Sequence, residues 1–296
     1  MSAVPFRAGH VALVGRPNVG KSSLLNALVG QRLCIVSPKP QTTRHRILGV
    51  VTREHGQIGY LDTPGVNDNK GKALNRQLNR TAHAALGEAD VCVVVIEGLR
   101  FGPEDRAVAD AALATGAPCL LAINKVDLVK DKSTLLPFLA QRSAEHAWTG
   151  VLMVSARRSA GLDALEAAII AALPESAPLY EADTLTDRSE RFLAAELVRE
   201  QLMRQLGQEL PYATTVEIEQ FEMDGRMRRI HASIWVEREG QKAIVIGDKG
   251  ERLKEIGTRA RLAMERLFDG KVFLQLWVKV RAGWSDDQRA IDQLGY

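Results

Sequence analysis

Two different patterns of apolar and polar residues divide the chain near residue 175. In the first part, short apolar runs rich in Val, Ile and Leu alternate with stretches in which apolar residues recur every three or four positions. Strands are predicted at 10–14, 58–61, 91–96, 119–123 and 151–154, and helices near 21–29, 74–86, 104–115, 135–146 and 162–172. This alternation predicts an α/β domain with a doubly wound, mostly parallel sheet, to which residues 44–53 add an antiparallel edge strand.

The second part combines helix patterns with strictly alternating strands. A helix is predicted over 187–206, followed by two strands, a helix around 253–267 and a last strand over 272–280. Every second residue of that last strand is apolar, which predicts one buried and one exposed face. Two prolines, Pro174 and Pro178, break the preceding helix pattern. We therefore predict an α/β domain at 1–175, a linker at 176–182 and an α+β domain at 183–296.

Composition and charge narrow the class of protein. Apolar residues make up 46% of the chain and charged residues 25%, an ordinary balance for a globular protein. No apolar run approaches the length of a membrane span, and residues 1–10 lack the features of a secretory signal. The three cysteines, Cys34, Cys92 and Cys119, are widely spaced, which suits a reducing cytoplasm. Cys92 and Cys119 lie in apolar runs, and we expect these two to be core residues.

The net charge of +3 is unevenly distributed. Residues 1–180 carry a balance of +5 and residues 181–296 a balance of −2, so the second domain is not basic overall. Its basic residues are concentrated locally, because residues 242–281 hold ten basic and five acidic side chains. A surface of this half that binds nucleic acid would therefore have to be formed by these basic residues.

A phosphate-binding loop is predicted between the first strand and the first helix, where residues 15–22 read GRPNVGKS. Glycine lets backbone amides turn toward phosphates, and the helix N-terminus adds positive partial charge. Lys21 is expected to reach the β- and γ-phosphates, and Ser22 to bind Mg²⁺. A Gly-rich turn that matches by accident is the alternative, which the flanking strand and helix disfavour. The nucleotide contacts predicted here are Gly15, Asn18, Val19, Gly20, Lys21, Ser22 and Ser23.

A second motif, Asp-Thr-Pro-Gly at 62–65, follows the next strand of the predicted sheet. The Asp62 carboxylate can hold Mg²⁺ there, and the Gly65 amide can sense the γ-phosphate. Alone, this tetrapeptide is more often an ordinary turn, and its position after a phosphate loop favours the functional interpretation. The residue that follows is Val66, where GTPases of the Ras type carry the glutamine that orients the attacking water. Valine cannot do this, so hydrolysis must depend on other groups.

Two further motifs predict selectivity for guanine. Asp127, in Asn-Lys-Val-Asp at 124–127, can accept hydrogen bonds from N1 and the exocyclic amine of guanine. Adenine cannot supply these donors, and an unpaired buried carboxylate would be costly. Ser155 and Ala156 follow the last strand and would add a backbone amide for guanine O6. We predict a GTP and GDP site that includes Asn124, Lys125, Asp127, Ser155 and Ala156.

A Gly-x-x-Gly loop at 247–250 suggests RNA binding by the second domain. It lies between two helix patterns, and such a loop brings backbone amides close to phosphates beside an apolar groove for unstacked bases. Many turns match this short motif, and a solvated helix face is the alternative for the basic residues around it. Asp248 places an acid on the phosphate path, which Lys249 opposes. The predicted RNA contacts are Ile244, Ile246, Gly247, Asp248, Lys249, Gly250, Arg252 and Lys254.

The order of these motifs resembles that of the translation-factor-like GTPases, and residues 39–44, KPQTTR, resemble the first switch of the Era family. The element order of the second half is similar to the type II KH domain, and the resemblance covers essentially the whole chain. It implies that Thr43, in preference to Thr42, completes the Mg²⁺ shell. It also implies that Asn18 helps to hold a K⁺ ion in place of an arginine finger, with a loop-shaping role as the alternative. The expected catalytic residues are Lys21, Asn18, Thr43 and Gly65.

Resemblance to the Era family implies a slow GTPase that binds the 3′ end of 16S rRNA and acts in assembly of the small (30S) ribosomal subunit. It also implies peripheral attachment to the inner face of the cell membrane, and we expect a cytoplasmic monomer. Two functions stay open at this point. One is a GTPase switch that controls RNA binding, and the other is a structural RNA chaperone in which GTP fixes the orientation of the domains with little turnover. Val66 keeps the second open, because it removes the expected glutamine.

Overall fold

The computed structural model describes residues 5–39, 42–65, 73–207 and 210–293, which form two compact units. The first unit holds most of the chain up to residue 187. The second unit consists of the described residues from 188 onward, together with the described parts of two earlier segments, 35–42 and 69–77. Two residues of the predicted first switch, 40 and 41, lie outside the described residues. So does Val66, which follows the motif at 62–65.

A six-stranded sheet with the order β2-β3-β1-β4-β5-β6 forms the centre of the first unit. All pairings are parallel except that of β2 with β3, as the sequence predicted. The strands are β1 (Arg7–Val14), β2 (Ile47–Arg53), β3 (Gly56–Asp62), β4 (Val91–Glu97), β5 (Cys119–Asn124) and β6 (Gly150–Met153). The helices of this unit are α1 (Lys21–Val29), α3 (Pro103–Leu113), α4 (Leu135–Glu145), α5 (Leu162–Ala172) and residues 78–87 of α2 (Ala73–Gly87), whose first five residues are assigned to the second unit.

The parallel strands bring the predicted motifs to one edge of the sheet. Leu13 of β1 lies beside Asp62 of β3, and Glu97 of β4 lies beside Asn124 of β5. Because these strands end together, the loops that follow them share the carboxyl edge, where open α/β sheets bind ligands. Strands β1 to β5 are largely buried and β6 is partly buried, so packing of the strands positions the loops that follow them.

The second unit is built around a three-stranded sheet with the order β7-β8-β9. β7 is antiparallel to β8, and β8 is parallel to β9. The elements are α6 (Glu190–Gln205), β7 (Thr215–Asp224), β8 (Met227–Val236), α7 (Glu239–Ile246), α8 (Glu251–Leu267), β9 (Lys271–Val280) and α9 (Gln288–Gln293). This order confirms the predicted KH arrangement. The inward residues of β8, such as Ile230 and Ile234, pack with α6 and α8 in one core.

Two features of the second unit differ from a simple two-faced pattern. On β9, Val272 and Val278 are buried, whereas Leu274 and Leu276 are only partly covered at the edge of the sheet. On α6, charged side chains are buried together with apolar ones, which an amphipathic pattern does not predict; they are Glu196, Arg199 and Glu200. Across the described residues, no helix has the length and apolar character needed to cross a membrane.

Candidate nucleotide and RNA sites

The predicted phosphate loop turns sharply between β1 and α1 and encloses the side chain of Lys21. The Lys21 Nζ donates to the carbonyl oxygens of Gly15 and Arg16 at 2.8 and 3.1 Å, and the residue is 7% exposed. Burial is the main cause that lowers the pKa of Lys21 to about 8, and the Asp62 charge opposes it. An anion bound in the loop would offset this desolvation, which is the role predicted for the nucleotide phosphates.

Asn124 connects the phosphate loop to the loop after β6. Its Nδ2 donates to the Val19 carbonyl oxygen at 3.0 Å, and its Oδ1 accepts from the Ala156 amide at 3.1 Å. Gly20 makes this approach possible, because a Cβ there would lie 2.4 Å from the Asn124 Nδ2. The sequence assigned Asn124 to the nucleotide alone. The structure adds a bracing role that only the proximity of the two loops reveals.

Three oxygen-bearing side chains from separate motifs meet below the phosphate loop. The Ser22 Oγ lies 2.6 Å from the Asp62 Oδ2 and 2.8 Å from the Thr43 Oγ1, and Thr43 donates to the same carboxylate at 3.3 Å. Burial raises the pKa of Asp62, and the Ser22 hydrogen bond opposes that rise. The second carboxylate oxygen, Oδ1, is buried and makes no hydrogen bond within the described part of the chain. Such a group of oxygen donors, one of them unsatisfied, fits a hard cation such as Mg²⁺.

The neighbouring threonine points elsewhere. The Thr42 Oγ1 bonds the Ser37 hydroxyl at 2.7 Å and donates to the Lys39 carbonyl oxygen at 2.6 Å. Thr43, and not Thr42, therefore shares the oxygen cluster with Asp62. This geometry supports Thr43 as the metal ligand, an assignment that stays a prediction.

The guanine side of the site is organised around Asp127. Its Oδ1 accepts a hydrogen bond from the Ser155 Oγ at 2.7 Å, which orients the carboxylate. Lys125 has a left-handed backbone (φ 60°), and its Nζ donates to the Asn18 carbonyl oxygen at 2.6 Å while lying 3.4 Å from Glu97. The remaining predicted contacts are near the loop: Val19 is buried, Ser23 is partly buried on α1, and Gly65 lies against Pro17.

A groove beside the Gly-x-x-Gly loop forms the candidate RNA site. The loop connects α7 to α8, and its last two residues, Lys249 and Gly250, have left-handed backbones (φ 46° and 83°). The groove has a volume of about 390 Å³ and runs between α8 and the edge strand β9. It is lined by Gly250, Leu253, Lys254, Gly257, Thr258, Arg261, Leu274, Gln275 and Leu276. Its floor is apolar and its rim carries two cations, the combination expected for unstacked bases and a phosphate backbone.

The predicted RNA residues divide into two groups. Gly250 and Lys254 line the groove, and Gly247, Asp248 and Lys249 form the adjoining loop, with Asp248 and Lys249 exposed. The other three do not line the groove. Ile244 on α7 is 49% exposed, Ile246 packs on the core, and the Nη1 of Arg252 on α8 donates to the Ile244 carbonyl oxygen at 2.6 Å. The apolar lining comes instead from Leu253 and the β9 leucines. Sequence reasoning missed these because they also carry the core pattern of their elements.

The fold and the site together define a P-loop GTPase joined to a KH domain. A family model described as "50S ribosome-binding GTPase" matches residues 10–125, and one described as "KH domain" matches residues 209–285. The chain is 56% identical over 292 residues to the GTPase Era of Xanthomonas axonopodis pv. citri, covering 99% of this chain and 98% of that protein. It is 55% identical to the GTPase Era of Stenotrophomonas maltophilia, a match that also covers 99% of this chain and 98% of that protein. The chain belongs to the Era family of GTPases, and it is a GTP hydrolase.

Two solved structures are similar over nearly the full chain. One is an Aquifex aeolicus Era variant bound to GDP·AlF4⁻, with a TM-score of 0.94 and 38% identity, covering 98% of this chain and 99% of that one. The other is Era in complex with MgGDPNP and nucleotides 1506–1542 of 16S ribosomal RNA, with a TM-score of 0.93 and the same identity and coverage. These similarities confirm the predicted fold class and the Era resemblance.

Proposed function

We propose that this protein is a GTP-dependent switch that binds the 3′ end of 16S rRNA and acts in assembly of the small (30S) ribosomal subunit. The observation that carries the proposal is the full-length similarity to an Era structure that holds MgGDPNP and a 16S rRNA segment. The groove between α8 and β9 supports it, because its apolar floor and cationic rim suit a single strand. The alternative is a structural RNA chaperone in which bound GTP is seldom hydrolysed.

In the proposed site, Mg²⁺ is held by Ser22, Thr43 and Asp62, and it supplies charge that stabilises the phosphates during transfer. Lys21 binds the same phosphates from below the loop, and the Gly65 amide is placed to sense the γ-phosphate. Asp127 selects guanine. Crosslinking to total RNA, followed by identification of the bound segment, tests the RNA target, and GTP turnover with and without that RNA separates the switch from the chaperone. Peripheral membrane attachment stays a prediction.

A potassium requirement tests the proposed role of Asn18 in hydrolysis. Asn18 is exposed, has a left-handed backbone (φ 66°), and uses its carbonyl oxygen to accept from Lys125. We expect GTP turnover to be about tenfold faster in K⁺ than in Na⁺ at equal ionic strength, corresponding to about 1.4 kcal/mol in the barrier. Asn18→Gly should abolish the difference, since glycine adopts the left-handed backbone readily and removes the side chain that carries the proposed oxygen ligand.

Asn18→Asp provides the matched rescue. Aspartate also tolerates a left-handed backbone and offers an oxygen ligand, so K⁺ stimulation should persist in this variant. Equal turnover in the two salts for the parent protein would leave Asn18 with a loop-shaping role only.

A negative charge at the Gly-x-x-Gly loop tests the proposed groove. Gly250→Asp should reduce affinity for a short 3′-end oligonucleotide at least tenfold, because the carboxylate would repel the phosphates next to the loop amides. No atom lies within 4 Å of a Cβ built on Gly250, so the side chain fits without a clash. Filter binding across a salt series is the measurement. Lys249→Gln should lower affinity for all sequences alike and reduce the salt slope by about one.

Gly116→Asp is the matched control for this experiment. Gly116 is also left-handed (φ 78°) with no atom within 4 Å of its Cβ position, and it lies in the first unit between α3 and β5. Its substitution introduces the same charge and backbone strain and should leave RNA affinity unchanged. If Gly250→Asp behaves like Gly116→Asp with its fold and GTP affinity intact, the RNA surface is elsewhere.

A further inference from the structure

An exposed group of rings lies on the outer face of the KH sheet. His231 of β8 contacts two rings of β9 edge to face: its centroid lies 5.5 Å from that of Trp277 and 6.3 Å from that of Phe273. The inward residues of both strands pack on the helices, so these outward rings lie on the opposite side of the sheet. Phe273 is 41% exposed and Trp277 is 38% exposed. We call His231, Phe273 and Trp277 the sheet-face cluster.

Packing of the hydrophobic core does not require these rings to be exposed on the outer face of the sheet. Each aromatic side chain carries a large apolar area, and leaving part of it in water is unfavourable at about 25 cal/mol per Å². Solvent-exposed groups of this kind mark interaction surfaces more often than isolated apolar residues do. The cluster comprises two of the ten large apolar side chains that are exposed in the described residues, and these two are neighbours. A partner that presents flat apolar surfaces would therefore be favoured here.

The charges around the cluster are close to balanced, so an occupant of this face would be held mainly by the aromatic rings. β8 and β9 contain no Asp or Glu in their twenty residues, whereas β7 carries four. The Arg229 guanidinium lies 5.6 Å from the centroid of the Phe273 ring, and the Lys279 ammonium lies 5.6 Å from that of the Trp235 ring. Acidic residues of β7 bond these two cations, Asp224 to Arg229 at 2.7 Å and Glu219 to Lys279. Because such exposed ion pairs are weak, they hold the cations over the rings without preventing contact with a phosphate.

The sheet-face cluster adjoins the groove along one strand. Gln275 lies between Phe273 and Trp277 among the outward residues of β9, and it also lines the groove next to Leu274 and Leu276. β9 is an edge strand, so no further strand separates the groove from the outer face in the described part of this sheet. A nucleic-acid strand that leaves the groove at Gln275 can therefore continue over the edge of the sheet onto the rings.

We propose that the sheet-face cluster is a second binding site for single-stranded RNA, in which Phe273 and Trp277 stack unpaired bases of the segment that extends beyond the groove. This proposal rests on the RNA function proposed above for the groove. Stacking contributes about 1–3 kcal/mol per base and tolerates any sequence, so the cluster adds affinity without adding base selectivity. Duplex RNA does not fit this role, because its bases are stacked on one another and cannot reach the rings.

Binding of two RNA lengths to the full chain tests the proposal. The short probe is a single strand of about four nucleotides that fills the groove, and the long probe extends it by about four nucleotides. Phe273→Leu/Trp277→Leu keeps apolar side chains and removes the aromatic faces. We expect affinity for the long probe to fall about tenfold or more and affinity for the short probe to stay unchanged. The salt slope for the short probe should not change, because its phosphate contacts in the groove are untouched by the two substitutions.

Two controls separate this proposal from that of the groove. Gly250→Asp should weaken both probes, whereas Met223→Ala, at an exposed apolar residue of the same sheet, should weaken neither. If Gly250→Asp has no effect, the groove assignment fails. If it acts as expected and the double variant binds both probes like the parent, only the cluster proposal is overturned.

A second measurement does not depend on a folded variant. The long probe, carrying a photoactivatable base beyond the groove segment, should crosslink to β9 of the parent protein at Phe273 or Trp277. Crosslinks that map elsewhere would overturn the proposal. So would a concentration-dependent dimer in the parent that the double variant loses while its RNA affinity is retained, because the face would then be a contact between two copies of this chain.

Discussion

Asp127→Asn is expected to reduce GTP affinity by about 100-fold and to make xanthosine triphosphate the preferred nucleotide. The Asp127 carboxylate is placed to accept two charge-assisted hydrogen bonds from guanine, and losing both corresponds to about 3 kcal/mol. Asparagine presents a donor toward the base, which matches the carbonyl that xanthine carries in place of the exocyclic amine. Its amide oxygen can still accept from the Ser155 Oγ, which lies 2.7 Å from the carboxylate of the parent protein, so the pocket keeps its shape. Competition of both nucleotides against a fluorescent guanine nucleotide measures the change.

Asp110→Asn is the control for this exchange. Asp110 is exposed on α3, so its substitution removes the same charge away from the base pocket and should leave nucleotide preference unaltered. A variant at Asp127 that still prefers GTP as strongly as the parent would show that another group reads the guanine edge.

The architecture and the nucleotide cluster could be predicted because each depends on strong local patterns. The buried apolar strands have few alternatives to a parallel sheet, and the parallel sheet then places strand ends at one edge. That is why Ser22 and Asp62, forty residues apart, could be expected together, and they lie 2.6 Å apart. The antiparallel edge strand followed from the same reasoning.

Other parts of the molecule could not be predicted, since they depend on which surfaces meet. Leu274 has the same alternating position as the core residue Val272 on the same edge strand, but Leu274 lines the groove beside α8 and Val272 is buried. The sequence also did not indicate that the Arg252 guanidinium bonds the Ile244 carbonyl oxygen of α7, and its role as an RNA contact stays a prediction. Charged residues in a helix pattern ordinarily face water, so the sequence did not predict that Glu196, Arg199 and Glu200 of α6 are buried.

Replacing Arg199 alone is expected to destabilise the second unit by about 3–5 kcal/mol. Arg199 is 1% exposed, and its Nε and Nη2 each donate to a carboxylate oxygen of Glu196 at 2.7 Å. The Nη2 also donates to the Thr42 carbonyl oxygen at 2.6 Å, which holds the segment 35–42 to α6. Arg199→Met keeps much of the packing, but it removes the two charge-assisted hydrogen bonds that the buried Glu196 carboxylate accepts from Arg199.

Urea unfolding can be followed in the second unit alone. Three of the four tryptophans, Trp235, Trp277 and Trp284, lie in this unit, so a Trp148→Phe background makes fluorescence report on it specifically. In that background we expect Arg199→Met to lower the midpoint strongly. Arg259→Met is the control, because Arg259 pairs with Glu255 on α8 in an exposed i,i+4 arrangement and should change stability by less than about 0.5 kcal/mol.

A double substitution distinguishes a lost ion pair from lost packing. Arg199→Met combined with Glu196→Leu removes both charges of this ion pair, so most of the stability lost in Arg199→Met should return. If packing of the long arginine side chain were the main contribution, the double variant would be at least as unstable as the single one. Recovery would therefore show that Glu196 destabilises the fold once Arg199 is gone. Any stability that does not return would reflect the other contacts of Arg199, including its hydrogen bond to the Thr42 carbonyl oxygen.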